Sequence, residues 1–112
     1  MEEIIKNIAH STVVPFAEQV EYLPGQIVSK TLAQNDHHSM TLFAFAEGEE
    51  ISTHEAGGDA LVLVLDGTGA FTIAGEKQLV SAGEALVMPA RVPHAVFAEK
   101  DFKMLLTVVF PD

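Results

Sequence analysis

Five histidines, a lone arginine and sixteen acidic residues carry the chemistry open to this chain, which has no cysteine. Disulfides, thiolate metal sites and cysteine nucleophiles are therefore excluded. His54 and His94 stand out, each preceded by a turn glycine and a short β-rich run, in Gly48-EEIST-His54 and Gly83-EALVM-Pro89-Ala90-Arg91-VP-His94. A neutral imidazole binds divalent metals and takes or gives a proton near neutral pH. A pair of them can share an ion, contact a bound ligand, or sit hydrogen-bonded in a polar pocket. Asp59 follows Gly57-Gly58, a loop that could aim its carboxylate inward to complete a histidine-rich site; its other reading is a turn residue. Arg91, between Pro89 and Pro93, offers a two-pronged fork for carboxylate or phosphate, or else a surface charge paired with an acid. Met88, with Met40, Met104 and several phenylalanines, suits the wall of a mainly apolar ligand cavity, although most such residues are core.

Other candidates are weaker. Strand parity puts Ser52, His54 and Ala56 on one face and Ile51, Thr53 and Glu55 on the other, so Glu55 reads as a solvated charge. His37-His38, after Asn35-Asp36, read as surface loop residues. Ser52 lies beside His54 on one strand, and no Ser, His and Asp spacing argues for nucleophilic catalysis.

The elements that must hold these residues are strands. From Gln26 onward, short runs rich in Val, Ile, Leu, Thr and Phe alternate with turn residues, an all-β rhythm. Strands are expected at 27–33, 40–46, 51–55, 61–65, 70–73, 77–80, 85–88, 94–98 and 103–110. Gly48, Gly57-Gly58, Asp66-Gly67, Gly75-Glu76 and Ala82-Gly83 punctuate them, and Ala74-Gly75 reads as a tight hairpin. The runs 61–65 and 105–109 are apolar on both faces, so each needs two covers: an interior on one side and, on the other, a second subunit. Residues 1–25 carry apolar residues without a clean period and are expected to pack over the outside of a sheet.

At 112 residues the chain suits one domain, 1–112, with no linker or repeat. Its net charge of −10 disfavours nucleic acid and anionic membranes as partners. The start Met1-Glu2-Glu3 lacks the basic region of an export signal, and no apolar run approaches membrane-spanning length, so the reading is a cytoplasmic protein.

Residues 48–67 and 83–98 together resemble the paired motifs of the cupin superfamily. The first motif runs Gly, five residues, His-x-His, a short gap, Glu, six residues, Gly; the second runs Gly, five residues, Pro-x-Gly, two residues, His, three residues, Asn. Both spacings are kept, as is a gap of 15 residues between them. The resemblance implies a jelly-roll barrel with one pocket at its end, where the motif histidines and glutamate bind a divalent metal such as zinc, nickel, iron or manganese. This chain departs from the pattern at the chemistry: Ala56 replaces the second histidine and Ala60 the glutamate, while Arg91 and Ala98 replace the later Gly and Asn. Only His54 and His94 remain of four ligands, with Asp59 the candidate third. The expectation is a homodimeric cupin that binds a small organic acid or sugar derivative through His54, His94, Arg91 and Met88. The alternatives are a metal-dependent isomerase, lyase or dioxygenase, and an interaction module whose pocket is filled by its own side chains.

Overall fold

The computed structural model describes residues 3–111. Among them are a single-turn 3-10 helix, Phe16–Gln19, and nine strands: β1 (Ile27–Gln34), β2 (His38–Phe45), β3 (Glu50–His54), β4 (Asp59–Asp66), β5 (Thr68–Ile73), β6 (Glu76–Ser81), β7 (Ala85–Met88), β8 (His94–Phe97) and β9 (Phe102–Val109). Each expected strand is present, with ends displaced by at most two residues. The strands form two antiparallel sheets in the orders β1-β2-β9-β4-β7 and β3-β8-β5-β6, a jelly-roll barrel. No described helix is long and apolar enough to cross a membrane.

The facing sides of the sheets enclose Phe45, Val62, Val64, Phe71, Val96, Phe102 and Met104, all nearly inaccessible to solvent. Phe102 is the centre of this core: its ring stacks on Phe45 with centroids 4.7 Å apart and meets Phe71 edge-on at 5.9 Å. The hairpin between β5 and β6 closes with Ile73 opposite Glu76, leaving Ala74 and Gly75 as a two-residue turn with φ of 50° and 82°. Positive φ at both positions is the type I′ geometry that matches the twist of paired strands.

On the outer side of the five-stranded sheet, Ile8, Phe16, Val20 and Tyr22 pack with Leu32, Leu42, Ala44, Leu65 and Leu105. Two lysines pin this segment. The buried Lys103 donates from Nζ to the Ala17 carbonyl at 2.6 Å, and Lys30 to the Gln19 carbonyl at 3.2 Å. One of the two outer covers required by the doubly apolar strands is therefore the chain's own beginning. It does not extend over the β4-β7 end of the sheet, where Leu61 and Val87 face each other in register and, with Val109 on β9, stay 45%, 52% and 57% exposed.

Candidate functional site

His54 ends β3 and His94 begins β8, and the two are paired in register at one end of the four-stranded sheet. Simple alternation does not put them together. Ile51 is paired with Val96, so regular pairing would set residue 53 opposite His94; instead the register shifts by one and His54 takes that place. The extra residue is a β-bulge, which re-aims the side chains that follow it. The parity expected for this strand is corrected accordingly: Ile51 packs against the core, and His54 turns to the same side, towards buried His94. Ser52 and Thr53 fill the bulge and are exposed.

The two rings meet with centroids 4.2 Å apart, steeply inclined at 70°, and the Nε2 atoms are 3.1 Å from each other. His54 is exposed at the rim, whereas His94 is 4% exposed. Each Nδ1 faces a backbone carbonyl two residues back in its own chain segment, Ser52 for His54 at 3.0 Å and Val92 for His94 at 3.2 Å. A carbonyl only accepts, so both Nδ1 atoms carry the proton. A neutral imidazole has one N–H, which leaves both Nε2 atoms as bare lone pairs aimed at each other. Two lone pairs at this distance repel unless a third proton or a cation joins them. Burial lowers the proton affinity of His94 below the ordinary imidazole range; the Val92 carbonyl opposes this and neighbouring His54 adds to it.

The donor set supports two adjacent coordination positions. Metal–nitrogen bonds of about 2.0–2.1 Å place neighbouring ligands ~2.9 Å apart around an octahedral ion and ~3.4 Å around a tetrahedral one, and 3.1 Å falls between. The hydrogen bonds from Nδ1 to carbonyls are the outer support that metal-bound imidazoles ordinarily have. No described cluster of three or more His, Asp or Glu completes a cage. Ala60, where the family pattern carries a glutamate, is buried and packed with the core opposite Met88.

Of the remaining candidates, Met88 is 2% exposed and packed in the hydrophobic core. Asp59, exposed at the start of β4, accepts the Ala90 N–H at 2.8 Å and so ties together the loops that follow β3 and β7. Arg91 is exposed and its N–H donates to the Ala56 carbonyl at 2.8 Å, a second tie between the same loops. Its φ is +61°, a left-handed conformation that costs a non-glycine residue about 1–2 kcal/mol. Asp59 and Arg91 both line a cleft of about 270 Å³ with Gly57, Gly58, Ala90 and Val109–Pro111. The structure thus brings His54 to His94 and Asp59 to Arg91. Of His37 and His38, only the former is exposed, and the Asn35 side chain caps the backbone of both. The Ser52 and Val92 carbonyls are not legible in the sequence, because main-chain acceptors leave no trace in residue types.

The cupin domain family matches residues 41–110. A crystal structure of a conserved protein of unknown function from Streptococcus pyogenes is 39% identical, with 99% of this chain and 97% of that chain covered and a TM-score of 0.96. A cupin superfamily protein from Desulfitobacterium hafniense is 34% identical over 96% of this chain and 98% of its own, with a TM-score of 0.91. A cupin 2 conserved barrel domain protein from Leptotrichia buccalis is 50% identical over 83% of this chain and 45% of its own, at a TM-score of 0.82. No functionally curated protein matches. With its paired motifs, its two-sheet barrel and these relatives, the chain belongs to the cupin superfamily as a small protein of the cupin 2 type.

Proposed function

We propose that this protein binds a small molecule at the barrel mouth, with the His54–His94 pair as its polar centre and Met88 in its apolar wall. The ligand is a small organic acid or sugar derivative. The observation that carries the reading is the convergence of the two Nε2 atoms at 3.1 Å, with the Nδ1 of each ring on a backbone carbonyl at its far side. Such an arrangement is complementary to a positive or proton-donating group: a hydroxyl or ammonium of a ligand, or a divalent ion.

The divalent ion is the second reading, favoured by the same separation. His54 and His94 would hold it, and a zinc, nickel, iron or manganese ion so held would act as a Lewis acid towards a ligand oxygen, the chemistry of an isomerase, lyase or dioxygenase. With two protein ligands, the ion's remaining positions would fall to water or to the ligand itself.

The protein acts as a cytoplasmic homodimer, with neither nucleic acid nor membrane as partner. Exposed Leu61 and Val87 support the dimer as a surface for a second copy, and the net charge of −10 argues against phosphate backbones. Light scattering on the parent and on Leu61→Glu tests the assembly: a dimer that becomes a monomer is the expected result.

The decisive experiment is elemental mass spectrometry on untagged protein purified without chelators, beside a His54→Ala/His94→Ala double variant. Near-stoichiometric metal in the parent alone would establish the metal reading and justify screening sugar isomerisation and oxygen-dependent reactions. No metal in either, even after incubation with each of the four ions, would leave the metal-free ligand pocket. That pocket falls in turn if no sugar derivative or organic acid shifts the His54 and His94 ring resonances.

A further inference from the structure

Arg91 is the only arginine in a chain of net charge −10, and it forms no ion pair among the described residues. It also holds φ at +61°, where the resemblance puts a glycine that would sit without strain. Pro89 and Pro93 stiffen the loop around it, and the bond from its N–H to the Ala56 carbonyl fixes the conformation. A strained residue held firmly by its surroundings is characteristic of a binding position.

The cleft beside it is shaped for a ligand that is charged at one end and apolar at the other. Gly57 bears nothing within 4 Å of a would-be Cβ and leaves that side open, while Gly58 lies so close to β9 that a Cβ would meet the Val109 carbonyl oxygen at 2.5 Å. Val109, Phe110 and Pro111 supply the apolar side. Asp59 uses Oδ1 to accept the Ala90 N–H, which leaves its second carboxylate oxygen to take a hydrogen bond from a ligand. A volume of about 270 Å³ suits a small organic molecule.

We propose that the cleft between the loops after β3 and β7 binds a small hydroxycarboxylate, its carboxylate on the Arg91 guanidinium, its hydroxyl on Asp59 and its carbon skeleton against Val109–Pro111. This rests on the reading of the protein as a small-molecule binder, but it uses a site other than the histidine pair. The strain at Arg91 is then a stability cost retained for binding.

Lactate carries a carboxylate, a hydroxyl and a methyl group, and both enantiomers are the probes. The readout is two-dimensional amide NMR with melting curves on the parent, Arg91→Gly, Arg91→Lys and the His54→Ala/His94→Ala double variant. One enantiomer or both should shift the Gly57, Gly58 and Ala90 amides saturably, and uncharged lactamide should not. Arg91→Gly should weaken binding about tenfold or more while raising the ligand-free Tm by roughly 2–5 °C. Arg91→Lys should bind more weakly than the parent, since it keeps the charge without the fork. The double variant, which lacks the pair at the barrel mouth, should keep the saturable shifts of the Gly57, Gly58 and Ala90 amides. Absence of a saturable shift, or undiminished binding in Arg91→Gly, would overturn the proposal. Loss in the histidine variant alone would overturn it too, while supporting the pocket at the barrel mouth. An unchanged or lower Tm in Arg91→Gly would refute the strain argument.

Discussion

Tyr22 donates a hydrogen bond of 2.5 Å to the carboxylate of Asp66, 44 residues further along the chain, and the Lys103 ammonium lies 4.8 Å from the centre of its ring. The three residues join the segment before β1 to the end of β4 and the start of β9. Burial raises the Tyr22 phenol well above its ordinary range, and the hydrogen bond and charge of Asp66, with the charge of Asp101, push the same way. A raised pKa in the folded state gives stability that is complete below the unfolded value of about 10 and is lost as pH rises past it. Because Tyr22 is the only tyrosine, phenolate absorbance reports it alone. Its ionisation is expected to lag behind that of free tyrosine and to accompany loosening of the N-terminal segment. Tyr22→Phe should cost about 1 kcal/mol at neutral pH and remove this alkaline dependence; a parent titrating like free tyrosine would contradict the reading.

His94 produces the opposite dependence, at acid pH. Its proton affinity is lowered in the fold, so its contribution to stability is present above the unfolded value of about 6.5 and is lost as pH falls below it. Urea unfolding at about pH 7.5 and about pH 5.5 should show a lower midpoint at the acid pH. His94→Gln, which cannot take up the proton, should narrow that difference; an equal difference in the variant would assign the effect to other groups.

The turn between β5 and β6 sets an alanine at φ of 50°, where it has no side-chain means of stabilising the conformation. Asparagine tolerates this region and is favoured before glycine in a type I′ turn. Ala74→Asn should stabilise the protein by about 0.5–1 kcal/mol, raising Tm by a few degrees in calorimetry without altering ligand or metal binding.

Gly69 on β5 lies under the central aromatic cluster. A Cβ there would be 2.7 Å from Phe102 Cε2 and 2.8 Å from Phe71 Cε1, on rings with no solvent exposure. Gly69→Ala should destabilise the fold by about 2–3 kcal/mol, seen as a shifted denaturant midpoint at unchanged slope. Phe102→Leu in that background should recover part of the loss, since it removes the ring atoms that clash.

The strands were legible because turn glycines and β-branched runs report local backbone preference, which the jelly roll leaves in force. The beginning of the chain had no period to read, since it is held by Lys103 and Lys30 on main-chain carbonyls and by Tyr22 on Asp66 rather than by an amphipathic helix. Motif spacing led to His54 and His94, but alternation along Ile51-Ser52-Thr53-His54 was misleading, because the bulge that reverses it depends on pairing with β8. Asp59 and Ala90 are 31 residues apart, and only tertiary structure brings that carboxylate to that amide.

The bulge in β3 has an evolutionary consequence. His54 sits opposite His94 with one surplus residue between it and the Ile51–Val96 pair, so loss of a single codon at Ser52 or Thr53 would restore regular pairing with the imidazole still opposite its partner. This position thus lets a lineage shorten β3 by one residue, exchanging the bulge for a regular ladder, without substituting either histidine and without disturbing the Ile51–Val96 pair that anchors the strand to the core.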